Sequence, residues 1–264
     1  MVQGMKLPSP HLLSVNNLSL KFRGLKALRQ VGFNVEEQSI FSLIGPNGSG
    51  KTTLFNLISG IYKPDEGNIS FQGARISGLS PDRIARRGIA RTFQNIELFC
   101  RATVIDNLLL GRHIHMKTGI FSGAFMWGRH SRAARDEVRN REFVETIMEF
   151  LGILPLRDHP VLGLPYGKRK LVELGRALAL EPKLLLLDEP SAGMDAEEKK
   201  ELGIFIRKVR DKYRATILLI EHDMRMVMGI SDTVLAIDQG EVIAKGEPRD
   251  VKNNPDVIKA YLGS

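Results

Sequence analysis

The sequence predicts an α/β fold: a mixed sheet flanked by helices, an antiparallel β layer from the N-terminal part, and a helical subdomain inserted mid-chain. Three observations carry this. Residues 40–44 (Ile-Phe-Ser-Leu-Ile) form a short apolar run, followed by a glycine-rich turn and then by Leu54, Leu57 and Ile58 at helical spacing. Residues 183–187, 215–220 and 233–237 are apolar runs of strand length, and 199–210 between the first two has a helical pattern. That rhythm is βαβ and implies parallel pairing. Residues from about 95 to 176 read as mainly helical.

Taken in order, residues 12–15, 18–22 and 31–35 alternate or run apolar between polar, glycine-containing turns, and are expected to be strands. Residues 69–71 end in Gln72-Gly73, a hairpin-like signal. Pro81 after Ser80 marks a helix start. Leu171, Leu174 and Leu178 give a later helix its apolar face, and Glu181-Pro182 stops it. Asp238-Gln239-Gly240 turns the chain into 241–244, and Asn254-Pro255 opens a short final helix. Without internal repeats, heptads or a low-complexity linker, the expected organisation is one domain over 10–253, with the helical subdomain inserted at about 95–176, and a terminal helix over 254–264.

Composition sets bounds. With 264 residues, 43% hydrophobic and 26% charged, the chain can bury a sizeable core and is not of the disordered class. A single cysteine, Cys100, excludes an internal disulfide framework and a cysteine-rich zinc site. Residues 1–13 hold no apolar run of signal-peptide length, and no stretch reaches membrane-spanning length. The expectation is a soluble chain whose membrane role, if it has one, comes through partners. A net charge of +8 points to anionic partners, for which nucleotide, nucleic acid and the inner membrane surface all qualify.

The chemistry concentrates in three places. Gly45-Pro46-Asn47-Gly48-Ser49-Gly50-Lys51-Thr52 fits G-x-x-x-x-G-K-[ST], with Thr53 following in the first helical turn. Its glycines let backbone N–H groups close around phosphate oxygens, and the helix N-terminus adds its positive dipole end. Lys51 would reach the β- and γ-phosphates, and the Thr52 hydroxyl suits Mg²⁺. A glycine-rich turn with no ligand is the plain alternative, and the strand before and helix after weigh against it. Four leucines, 184–187, form a buried strand that delivers Asp188 and Glu189 to its C-terminal edge. Asp188 is placed to hold Mg²⁺ and Glu189 to orient or deprotonate water. Residues 217–220 repeat the design and end in Glu221-His222-Asp223, so His222 reads as a γ-phosphate contact and not as a solvated histidine.

With those residues in place, the chain resembles the ATP-binding-cassette family, the nucleotide-hydrolysing subunits of ABC transporters, in five elements in family order. The phosphate loop is followed by Arg91-Thr92-Phe93-Gln94, and Gln94 looks like the glutamine that meets Mg²⁺ and faces the membrane partner. Leu164-Pro165-Tyr166-Gly167-Lys168 stands in the place of the LSGGQ signature, with Pro165 for Ser and Lys168 for Gln. Asp188-Glu189, then the interface loop Ser191-Ala192-Gly193-Met194-Asp195, then His222 complete the set, and Phe22 stands where an aromatic ring stacks on adenine. The resemblance implies a RecA-like P-loop NTPase core and Mg²⁺-dependent ATP hydrolysis. It also implies a second cassette, with Tyr166, Gly167 and Lys168 acting on the partner's ATP.

Three strings narrow the resemblance to LivG-type cassettes of branched-chain amino acid uptake: 91–99, 117–121 and 253–263. This implies a different, LivF-type second cassette, two integral membrane permease subunits and, indirectly, a periplasmic or extracellular solute-binding protein. The cassette would sit peripherally on the cytoplasmic face of the inner membrane, with no nucleic acid as partner. A related importer for amides or urea, and a soluble cassette ATPase acting on nucleic acid or ribosomes, are the alternatives. His113-x-His115 reads as a solvated pair and not a metal site. The aromatic and arginine-rich stretch 121–141 reads first as a solvated helical surface, then as a docking surface for a membrane partner or lipid headgroups.

Overall fold

The N-terminal apolar runs form one strand where the sequence suggested two. In the computed structural model, which describes residues 11–92, 97–115 and 132–262, β1 (His11–Phe22) pairs antiparallel with β2 (Leu25–Glu36) along its length. The polar pair Asn16-Asn17 interrupts the alternation. Register shifts between Val15 and Leu18 absorb it, with Asn17 in the left-handed region at φ 48°, so the ladder resumes beyond the irregularity.

The chain forms two compact units, Met1–Ile89 with Lys183–Ser264, and Ala90–Pro182. In the first, β3 (Ile40–Ile44), buried at every position, leads into α1 (Lys51–Ile58). The hairpin β4 (Glu66–Phe71) and β5 (Ala74–Arg75) turns at Gln72-Gly73, and α2 (Pro81–Ala85) follows Ser80. Strands β2-β1-β4-β5 make the antiparallel sheet.

A second, six-stranded sheet runs β10-β9-β3-β8-β7-β6, where β6 is Ile89–Arg91. The chain returns to it after the second unit through β7 (Leu184–Asp188), α6 (Ala196–Tyr213), β8 (Thr216–Ile220), α7 (Met224–Ile230), β9 (Thr233–Asp238) and β10 (Glu241–Gly246). Strands β7, β8, β3 and β9 are parallel neighbours, and β10 runs antiparallel to β9, so the sheet is mixed. Alternation along β9 shows how both faces are covered. Leu235 and Ile237 enter the core shared with α1 and the antiparallel sheet, while Val234 and Ala236 pack with Val227 of α7. The same second face receives Val251 of α8 (Pro248–Lys252) and Val257 of α9 (Pro255–Leu262).

The second unit is helical. It contains α3 (Val104–Gly111), α4 (Arg132–Phe150) and α5 (Tyr166–Leu178). Thr103 caps α3 in a reciprocal capping box with Asp106. Gly175 of α5 lies where an added Cβ would come within 3.1 Å of Leu108 and Leu151, so α5 packs tightly within this unit. No described helix is long and apolar enough to cross a membrane.

Candidate functional site: the phosphate loop and its carboxylate edge

Strand β3 ends at Ile44 and hands the chain to Gly45, where an added Cβ would meet the Ile237 carbonyl oxygen at 2.0 Å. Only glycine fits that approach. Gly50 precedes α1 with φ 108° and supplies no side-chain cap, so no side chain competes for the helix's first amides. The loop is held from the β9–β10 turn: Gly240 N–H donates to the Ser49 carbonyl at 2.9 Å, and Arg29 N–H donates to the Gly240 carbonyl at 2.8 Å. Lys51 is 5% exposed. Its Nζ donates to the carbonyls of Gly45 and Pro46, each at 2.8 Å. Burial lowers the Lys51 pKa, and the nearby charges of Glu189 and Asp188 oppose that shift. The ammonium is thus aimed along the loop with two carboxylates in its field.

Those carboxylates arrive as the leucine strand predicts. Asp188 ends β7 buried, and Glu189 follows in the left-handed region at φ 47°, its N–H donating to the Ile220 carbonyl at 3.0 Å. The turn directs Glu189 towards the end of β8, where His222 Nε2 lies 2.6 Å from Glu189 Oε1. Glu221, 2% exposed, points inward. Its carboxylate accepts from the N–H groups of Ser191 at 2.8 Å and His222 at 3.1 Å. It therefore ties the loop after β7 to the loop after β8. Asp223 caps α7 by accepting from Arg225 and Met226 N–H groups. The sequence grouped Glu221 with its neighbours as a polar trio, but its structural role needed the fold to be seen.

Lys51, Glu189 and His222 share an open cleft of about 400 Å³, lined also by Asn47, Gly48 and Thr52 among others. Thr53, half-buried in the first turn of α1, lines it as well. Phe22, 41% exposed, pairs across the β1–β2 turn with Leu25, which also lines the cleft. Its ring meets Tyr62 edge-on, with centroids 5.2 Å apart. Tyr62 had no sequence signal of its own. The donor set fits Mg²⁺: the hydroxyl of exposed Thr52 and the carboxylate of Asp188, buried at the end of β7, are hard oxygen ligands of the kind Mg²⁺ takes alongside phosphate and water. Gln94 lies outside the described residues, as do residues 121–131 of the aromatic and arginine-rich stretch.

The signature belongs to the helical unit. Pro165 stands at the N-cap of α5 with no side-chain cap, leaving Tyr166, 47% exposed, and Lys168 at the surface beside Gly167. The helix is anchored by Val172, Leu174 and Leu178, whereas Leu171 is only half-buried. His115 Nε2 lies 2.9 Å from the Leu180 carbonyl, and no metal-binding cluster of His, Cys, Asp and Glu occurs among the described residues.

Comparison with known proteins agrees with this geometry. The family model described as "ABC transporter" matches residues 28–192, and that described as "Branched-chain amino acid ATP-binding cassette transporter" matches 241–264. The chain is similar to the high-affinity branched-chain amino acid transport ATP-binding protein LivG of Escherichia coli (strain K12), 45% identical over 97% of this chain and 99% of the relative. It is 41% identical to BraF of Pseudomonas aeruginosa, a protein of the same description, over 96% and 98%. Among solved structures, it resembles an ATP-binding cassette of an ABC transporter in its ADP conformation, with TM-score 0.83, 32% identity, and coverage of 97% and 100%. It also resembles cbiO1 from Clostridium perfringens, part of an ABC transporter complex, with TM-score 0.79, 30% identity, and coverage of 95% and 94%.

Proposed function

This chain belongs to the ATP-binding cassettes of ABC transporters, and on that premise we propose that it hydrolyses ATP to drive uptake of branched-chain amino acids through membrane permease subunits. The observation that carries the hydrolytic part is the convergence of Lys51, Glu189 and His222 on one cleft beneath the phosphate loop. The backbone N–H groups of 47–53 and the Lys51 ammonium bind the β- and γ-phosphates, and Phe22 offers its face to adenine. Thr52, Asp188 and Gln94 would hold Mg²⁺, which supplies charge neutralisation at the phosphate oxygens. Glu189 accepts the proton of the attacking water, and His222 contacts the γ-phosphate and holds the Glu189 carboxylate in place.

The choice of solute rests on the relatives and on the C-terminal match, because a cassette does not touch what is transported. One ATPase domain over 10–253 and a terminal helix over 254–264 work with a second, different cassette of LivF type. Tyr166, Gly167 and Lys168 approach the ATP of that partner, and Gln94 reports the nucleotide state to the permease. The cassette lies peripherally at the cytoplasmic face of the inner membrane, and a solute-binding protein feeds the permease from the other side.

The test is capture of tagged Glu189→Gln with MgATP from gently solubilised native membranes. Two polytopic membrane proteins and a second cassette are the expected companions. Ribosomes, nucleic acid or no membrane protein would overturn the transporter assignment and leave the ATPase intact.

A further inference from the structure

The C-terminal helix reaches the phosphate loop through one hydroxyl group. Asn254 caps α9 by accepting from the N–H groups of Asp256 and Val257, which fixes where the helix begins. Val257, 3% exposed, then enters the apolar cluster that contains Ile44, the last residue of β3. Tyr261 lies four residues on, on the same helical face. Its hydroxyl accepts the Gly45 N–H at 2.8 Å, a bond that spans 216 residues of sequence.

Gly45 is a demanding place for such a bond. It is buried, and it lies beyond the ladders that pair β3 with β8 as far as Leu43 and with β9 as far as Ile44. Its N–H therefore leaves the sheet just where the loop begins, and a buried amide without an acceptor is costly. The carbonyl of the same residue accepts from Lys51 Nζ at 2.8 Å. Gly45 thus stands between the Tyr261 hydroxyl and the ammonium that meets the phosphates.

We propose that Tyr261 is a positioning residue for nucleotide binding: its hydroxyl sets the first peptide of the phosphate loop, so that docking of α9 and binding of a nucleoside triphosphate reinforce each other. The inference rests on the assignment of 45–53 as the ATP site. A helix that merely patches the sheet would add to stability but would not alter nucleotide affinity. A positioning residue must alter affinity, and by linkage bound nucleotide must in turn tighten the helix.

The experiment measures equilibrium binding of MgATP to the full chain in the Glu189→Gln background, where ATP is not consumed. Tyr261→Phe removes only the hydroxyl, and Lys259→Ala, an exposed position on the same helix, is the control. Tyr261→Phe is expected to bind MgATP roughly threefold to tenfold more weakly, the range of one neutral hydrogen bond, with Lys259→Ala unchanged. A second measurement needs no variant at position 261: MgATP should slow amide hydrogen exchange over 255–262. Equal affinity in Tyr261→Phe, or exchange over 255–262 that ignores MgATP, overturns the inference while the ATP site stands. Failure of the Glu189→Gln chain itself to bind MgATP removes the site assignment, and the inference with it.

Discussion

His222 Nε2 lies 2.6 Å from Glu189 Oε1, and this contact joins the ends of two adjacent parallel strands at the mouth of the phosphate cleft. The two side chains, which belong to separate motifs in the sequence, therefore meet at one spot. In the proposed mechanism Glu189 is the general base, and the imidazole orients its carboxylate.

Glu189→Gln keeps the shape of that side chain and removes its basicity. ATP affinity should stay within a few-fold of the native chain, while steady-state turnover falls by about 10²–10⁴, the span general-base catalysis supplies. Retained hydrolysis, measured as phosphate release, would take Glu189 out of the mechanism.

His222→Ala leaves the carboxylate without its orienting partner and the γ-phosphate without one contact. Turnover should fall by about ten- to hundredfold, with ATP binding affected less than turnover, since the phosphate loop is untouched. A rise in KM with unchanged kcat would show that His222 serves only ground-state binding.

Gly45→Ala places a methyl group 2.0 Å from the Ile237 carbonyl oxygen, so the loop or β9 must move. Loss of at least tenfold in MgATP affinity is expected, with destabilisation of about 1–3 kcal/mol read from denaturant titration. Gly163→Ala, where an added Cβ meets nothing within 4 Å and φ is not positive, is the neutral comparison.

Asp223→Ala removes the cap of α7, the helix that begins two residues after His222, and should cost about 0.5–2 kcal/mol at neutral pH. The Met226 N–H, and then Lys199, hold the Asp223 pKa below its ordinary value of 3.8. A folded-state pKa below the unfolded one means the stabilisation is full above about pH 3.8 and is lost as pH falls through the lowered value. The stability gap between native and variant should therefore be constant from pH 7 to 5 and close in acid. A gap that widens in acid would contradict the assignment.

Much of this site was legible because its chemistry demands residue types at fixed spacing. The glycines, Lys51 and Thr52 declare a phosphate cradle in eight positions, and a run of leucines before Asp188-Glu189 declares a buried strand edge. The strand at β1 was read as two because local alternation breaks at Asn16-Asn17, whereas register shifts in the tertiary ladder carry it through. Glu221 and Tyr261 escaped for a different reason. Their partners, the Ser191 and Gly45 amides, are 30 and 216 residues away, and backbone N–H groups leave no mark in a sequence. Tyr62 likewise gains its meaning only from lying against Phe22.

The central claim is that ATP turnover on this chain drives branched-chain amino acid uptake. It is tested most directly by measuring entry of radiolabelled leucine, isoleucine and valine into cells that lack this chain and carry either the native or the Glu189→Gln form. The native chain should restore uptake of all three and Glu189→Gln none. Undiminished uptake without the chain, or full restoration by Glu189→Gln, would contradict it.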